Sequence, residues 1–163
     1  MLVLGLDPGL ATTGWALVRG DGQHLDPADY GVIRTDPAES LATRLVVLHD
    51  TLEQLIAHHA PDAAAIEELF FSTNVRTAML VGQARGVALL TLAQAGLPTW
   101  EYTPMQVKQA VTGYGGADKR QIQQMVQMLL NLKSIPQPDD AADALAISIC
   151  HHHSASLLGL LGT

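Results

Sequence analysis

One cysteine, seven aromatic residues and nine basic residues are all that the 163 positions hold of those types. The single thiol, Cys150, excludes an intramolecular disulfide and a thiolate zinc cluster. Scarce rings leave Leu, Val, Ile and Ala to fill the core, and at 48% hydrophobic the chain has enough of them. A domain of this length buries roughly 70% of the surface its unfolded chain exposes. No apolar run approaches the roughly 20 residues that a membrane helix needs. No basic leader precedes a cleavage site, because residues 2–6 are strand-like from the outset. No repeat, low-complexity tract or linker divides the chain. The expectation is one domain spanning 1–163, cytoplasmic and without a membrane partner.

Basic charge is scarce overall, with a formal net charge of −7, which argues against nucleic acid until its distribution is considered. Between Leu69 and Pro138 stand Arg76, Arg85, Lys108, Lys119, Arg120 and Lys133 against only Glu101 and Asp118, a local charge of +4. The remainder carries three basic and fourteen acidic residues, or −11. Phosphate affinity comes largely from Lys and Arg, so the central segment permits a nucleic-acid partner without requiring one.

Hydrophobic patterning divides the chain into alternating element types. Residues 2–8 are a near-continuous apolar run ending in Asp-Pro-Gly, as in a central strand. Residues 12–19 and 30–34 read as the next strands, the first two pairing as a hairpin. Ser40 can cap a helix reaching His59, with leucines at 41, 45, 48, 52 and 55 along one face. A short buried strand follows at 63–68, then a helix at 73–95 closed by Gly96 and Pro98. A strand at 99–102, helices at 104–111 and 117–132, and a last helix at 140–154 complete the order. Three antiparallel strands followed by strands separated by helices imply an α/β fold, its mixed five-stranded sheet covered on both faces.

Acids stand where this pattern places reacting groups. Asp7 ends the first strand, and Glu67 or Glu68 ends a later one; adjacent strand residues face opposite ways, so periodicity leaves that choice open. Near the last helix comes PDDAADAL, in which Asp140 and Asp143 share a face, as would Asp139 and Asp143. Carboxylates converging from separate elements repel unless a hard cation joins them, and Mg²⁺ and Mn²⁺ favour such oxygens. Taken singly, Asp7 could open an Asx turn and Asp139 could cap the helix.

Five stretches together resemble the RuvC family of Holliday-junction resolvases: GLDPGLATTGWALV at 5–18, PDAAAIEELFF at 61–71, VGQARGVALL at 81–90, EYTPMQVKQAVTGYGGADKRQIQQMV at 101–126 and PDDAADALAISICHHH at 138–153. The resemblance implies an RNase H-like fold, a homodimer, and paired symmetric nicks in a four-way DNA junction that leave 5′-phosphate and 3′-hydroxyl ends. It also implies Mg²⁺, two ions per site with Mn²⁺ as a possible substitute, and the RuvA–RuvB branch-migration complex as a partner. By motif, the metal-holding and catalytic acids become Asp7, Glu67, Asp140 and Asp143. The same frame selects Glu67 over Glu68 and Asp140 over Asp139; it calls for no acid at 139, where a capping role is expected.

For DNA contact the resemblance implies Lys108 and Lys119 against the phosphodiester and Phe70 stacked on a base, with Phe71 in the core. Arg76 and Arg120 are candidate phosphate contacts, whereas Arg85, inside a helix, suits an ion pair. His151, His152 and His153 diverge by about 100° per residue on a helix and cannot share one ion. The helix at 74–95 is the candidate dimer element, through Met79, Leu80, Ala84 and Val87. Two other readings stand beside this one. One is an RNase H-like nuclease acting on RNA–DNA hybrids or RNA; the other is a non-catalytic junction-binding module.

Overall fold

Residues 1–21, 24–68 and 74–161 are described by the computed structural model, 156–161 as helical backbone only. Strands β1 (Leu2–Asp7), β2 (Thr12–Gly20) and β3 (Leu25–Arg34) pair antiparallel in sequence order. Thr13 closes the turn after β1, its hydroxyl donating to the Gly9 carbonyl at 2.6 Å. Helix α1 (Leu41–His59) starts at Ser40, whose side chain accepts from the Thr43 amide. It leads to β4 (Ala63–Glu67), parallel to β1. Helix α2 (Val75–Gln94) then leads to β5 (Thr99–Tyr102), parallel to β4. The sheet order is therefore β3-β2-β1-β4-β5. Helices α3 (Pro104–Thr112), α4 (Lys119–Leu129) and α5 (Asp139–Leu161) finish the chain. Among the described residues no helix is long and apolar enough to cross a membrane.

Strand alternation sorts the core into two layers. Leu4, Leu6, Ala64 and Ile66 point to the face packed by α1 and α2 through Leu48, Leu52, Ala84 and Leu92. Val3, Ala63 and Ala65 point to the other, beneath Val107 of α3, Val126 of α4 and Leu145 and Ile149 of α5. Central β1 is thus buried on both faces, as its unbroken apolar run required.

Helix α5 lies close against β1 and β2, and glycine makes the approach possible. A Cβ on Gly5 would come within 2.3 Å of the Ala144 carbonyl oxygen, and one on Gly14 within 1.9 Å of that of Asp140. One helical row, Asp140, Ala144, Ser148 and His152, therefore faces the sheet at fourfold spacing. Two polar contacts lock its register: Ser148 Oγ to the Ala16 carbonyl at 3.3 Å and His152 Nε2 to that of Val18 at 2.9 Å.

Four elements have boundaries that differ by two residues or more from those read in the sequence. Strand β3 begins at Leu25, ahead of the expected 30, because an edge strand tolerates Pro27 and the polar residues that hid it. Helix α2 begins at Val75 because Asn74 caps it by accepting from the Thr77 amide. Helix α4 is shorter than 117–132: Asp118 caps its start, and Asn131 turns into the left-handed region after its end. Helix α5 continues past Ser154, since serine costs little in a helix interior.

Candidate active site

The register of the sheet sets the acids side by side. Leu6 pairs with Ile66 in the parallel ladder, so Asp7 and Glu67, one residue further on, leave neighbouring strands at the same end. Both continue the Val3, Gly5 and Ala63, Ala65 rows that face α5. Glu68 lies past the strand, exposed, with its amide donating to the Tyr102 carbonyl at 2.8 Å. Tertiary placement therefore separates two glutamates that strand periodicity alone left equivalent.

From the other side, the first turn of α5 brings Asp140 and Asp143. Asp140 sits over Gly14, which pairs with Asp7 across the β1–β2 ladder. A pocket of about 200 Å³ opens beside Glu67 and Asp143, with Lys108 and Lys119 among its lining residues. Lys119 Nζ stands 3.4 Å from Asp143 Oδ2.

Burial and crowding change the protonation of this group. Burial pushes the Asp7 carboxyl from 3.8 to about 7, and the negative charges of Glu67, Asp143 and Asp140 add to the rise while Lys119 opposes it. Glu67 rises from 4.5 to about 6, through burial and the charge of Asp143, against the pull of Lys108. Asp143 is raised as well, by burial first, with Lys119 opposing. Lys119 is itself raised: partial burial works against its charge, but Asp143 and Asp139 outweigh that.

Such a set suits a hard divalent cation. Its donors are carboxylate oxygens alone, and their mutual repulsion is the kind of cost that a dication removes. Among the described residues, no three acidic, imidazole or thiol groups are drawn close enough to enclose an ion as they stand. The fit therefore rests on donor chemistry and on the raised carboxyls, and the residues that would hold the ion are Asp7, Glu67, Asp140 and Asp143.

The remaining candidates fall in different places. Arg76 and Arg120 are exposed, each the second residue of its helix, α2 and α4. Phe70 and Phe71 lie outside the described residues. Arg85 makes an ion pair with Glu101, and its Nε donates to the Glu67 carbonyl at 3.0 Å, tying the end of β4 to α2. The three histidines take three separate partners: the Tyr102 hydroxyl, the Val18 carbonyl and the Ala110 carbonyl. His151, buried against Trp100 and Tyr102, is pushed from 6.5 down to about 4 by that burial, with His152 contributing. Cys150 is buried and its thiol pushed up to about 11, which keeps it protonated and unreactive.

Two sequence expectations need correction. Asp139 is the first helical residue of α5 rather than its cap, and the Pro138 carbonyl accepts from the Ala141 and Ala142 amides instead. Its carboxylate is engaged by Gln123 and Lys119. Ala84 is fully buried in the core beneath α2, and Leu80 and Val87 pack against that core, so of the four candidate dimer residues Met79 alone is well exposed. Sequence reasoning also passed over Gly5 and Gly14 as the seat of α5. A glycine inside a strand is itself the signal of a close approach.

Comparison with known proteins gives one consistent result. A family model described as crossover junction endodeoxyribonuclease RuvC matches residues 3–151. The crossover junction endodeoxyribonuclease RuvC of Desulfitobacterium hafniense is 56% identical over 162 residues, covering 99% of this chain and 98% of its own. Among solved structures, T. thermophilus RuvC in complex with a Holliday junction substrate superposes with a TM-score of 0.92 at 37% identity, over 96% of both chains. The yeast mitochondrial Holliday junction resolvase Ydc2, at 13% identity and a TM-score of 0.65 over 96% of this chain and 82% of its own, shares the fold alone.

Proposed function

The chain belongs to the RuvC family of crossover junction endodeoxyribonucleases, and from that premise we propose that it resolves four-way DNA junctions by paired hydrolytic nicks. The observation that carries the reading is the meeting of two strand ends and a helix start: Asp7, Glu67 and the Asp140/Asp143 pair converge where Lys119 and Lys108 border a pocket. A carboxyl pushed up to about 7, by burial first and by its acidic neighbours second, is unfavourable as an isolated anion and useful as a cation ligand.

Held by those four acids, divalent cations, two per site and Mg²⁺ before Mn²⁺, would supply Lewis-acid stabilisation and a water nucleophile at neutral pH. The chain's own groups do the rest. The acids fix the reacting end of the sheet, because each is rooted in a strand end or helix turn rather than a loop. Lys108 and Lys119 face the pocket with positive charge and offset the charge that accumulates on the phosphorus oxygens during displacement. The products are a 3′-hydroxyl and a 5′-phosphate, ends that a ligase can rejoin. Arg76 and Arg120 would contact flanking phosphates, and Phe70 a base at the junction centre.

Two nicks of like polarity call for two sites related by a twofold axis, hence a homodimer. Helix α2 supports this with an exposed face of Val75, Met79 and Leu90, where Gly82 and Gly86 leave room for close approach. Docking of a RuvA–RuvB branch-migration complex, and a cytoplasmic location, belong to the same reading.

The test is cleavage of a four-way junction, an RNA–DNA hybrid and a linear duplex under Mg²⁺ and under Mn²⁺ separately. Paired nicks confined to the junction are expected, with none by Asp7→Asn. Preference for the hybrid, or binding without any metal-dependent nicking, would refute the proposal.

A further inference from the structure

Lys119 stands at the first position of α4 with its backbone held by a capping box. Asp118 accepts from the Gln121 amide at 2.8 Å, and the Gln121 side chain accepts from the Asp118 amide at 2.8 Å. From that seat the ammonium reaches two acids of α5: Asp139 Oδ2 at 3.2 Å and Asp143 Oδ2 at 3.4 Å. The second oxygen of Asp139 is taken by Gln123, whose Nε2 donates at 3.0 Å. Gln123 lies four residues after Lys119, on the same face of α4. Two neighbouring side chains of one helix thus pin the Asp139 carboxylate, at the first residue of another. That carboxylate neither caps α5 nor lines the pocket beside Glu67 and Asp143.

We propose that Asp139 is a positioning residue for Lys119. It shares the ammonium with Asp143 and so keeps it at the rim of the pocket, facing the DNA. Without Asp139, the acid left within ion-pair distance of Lys119 among the described residues is Asp143, and the ammonium closes onto it. The pair then removes both the cation meant for the phosphodiester and a carboxylate needed by the metal. Gln123 completes the device, since it holds the other oxygen of Asp139 and so fixes that carboxylate in place for the ammonium. The inference rests on reading Lys119 as a phosphodiester contact, and the test separates the two.

Single-turnover cleavage of a four-way junction at saturating Mg²⁺ is compared for wild type, D139N, D139E, K119A and the D139N/K119A double variant. Junction affinity is measured without metal in parallel. D139N should slow cleavage about fivefold, the size of an exposed ion pair's contribution, and D139E should restore it to within about twofold. On the K119A background D139N should have no further effect, because coupled residues fail to add. Junction affinity should be unchanged or slightly tighter. An equal slowing by D139N in both backgrounds would assign the effect to charge near the acids and overturn the proposal. So would a wild-type rate for D139N while K119A is slow. Full activity of K119A would overturn the reading of Lys119 itself.

Discussion

Gly14 lies under Asp140 so closely that a Cβ there would fall 1.9 Å from the Asp140 carbonyl oxygen. Gly14 is also the ladder partner of Asp7. One residue without a side chain therefore governs how near the first turn of α5 comes to the end of β1. The spacing of the acids depends on it.

Substituting Gly14→Ala should force α5 off the sheet at its N-terminal end. The expected cost is roughly 1–3 kcal/mol, as for other overpacked cores, read in a urea melt. Junction nicking should fall further than this destabilisation accounts for, since Asp140 and Asp143 move with the helix. Wild-type stability together with wild-type nicking would show that α5 is seated elsewhere.

Asp7 titrates in a way that metal-free protein should reveal. Its folded carboxyl, near 7, lies above the ordinary 3.8, so the folded state holds a proton that the unfolded chain gives up. The stability this contributes is complete below about pH 4 and is lost as pH rises through 7. Asn never ionises. With metal chelated at pH 8, Asp7→Asn should be more stable than wild type, by up to roughly 4 kcal/mol, and the margin should close towards pH 4. Mg²⁺ should stabilise wild type and do far less for the variant. Equal melting of the two proteins in chelator across this range would remove Asp7 from the crowded acids.

His151 gives the opposite dependence. Buried against Tyr102 and Trp100, it ionises near 4 rather than 6.5. Below 6.5 the unfolded chain takes up a proton that the folded chain refuses, so stability is complete above that pH and declines as pH falls towards 4. The loss should reach roughly 3 kcal/mol, and His151→Gln should flatten that part of the profile. An unaltered profile in the variant would shift the effect to other groups, His152 first, whose value is also lowered by burial.

Met79 stands on the exposed face of α2, opposite the buried Ala84. Met79→Glu should leave folding intact but yield monomers in sedimentation velocity, and junction cleavage should fall with dimer content. A dimeric Met79→Glu protein with normal cleavage would move the interface to another surface.

The amino-acid sequence alone determined the element order, the mixed sheet, and the identity of the acids at its ends. Those features follow from local periodicity, from turn residues such as Asp-Pro-Gly, and from motif order along the chain. A cap made the start of α1 legible at Ser40, whereas the caps at Asn74 and Asp118 were passed over. Boundaries blurred where polar residues lay in an edge strand, as in β3, or where serine stood inside a helix, as at Ser154 in α5. Periodicity alone left open which of two adjacent glutamates faces α5, a choice made by the motif frame and not by any local pattern. How Asp139 bonds to Lys119 and Gln123 instead of capping its helix was decided only by tertiary structure. The reason is geometric: periodicity assigns a side chain to a face, but its neighbours on that face come from elements up to well over a hundred residues away. Ser148 bonding to Ala16 measures that separation at 132 positions.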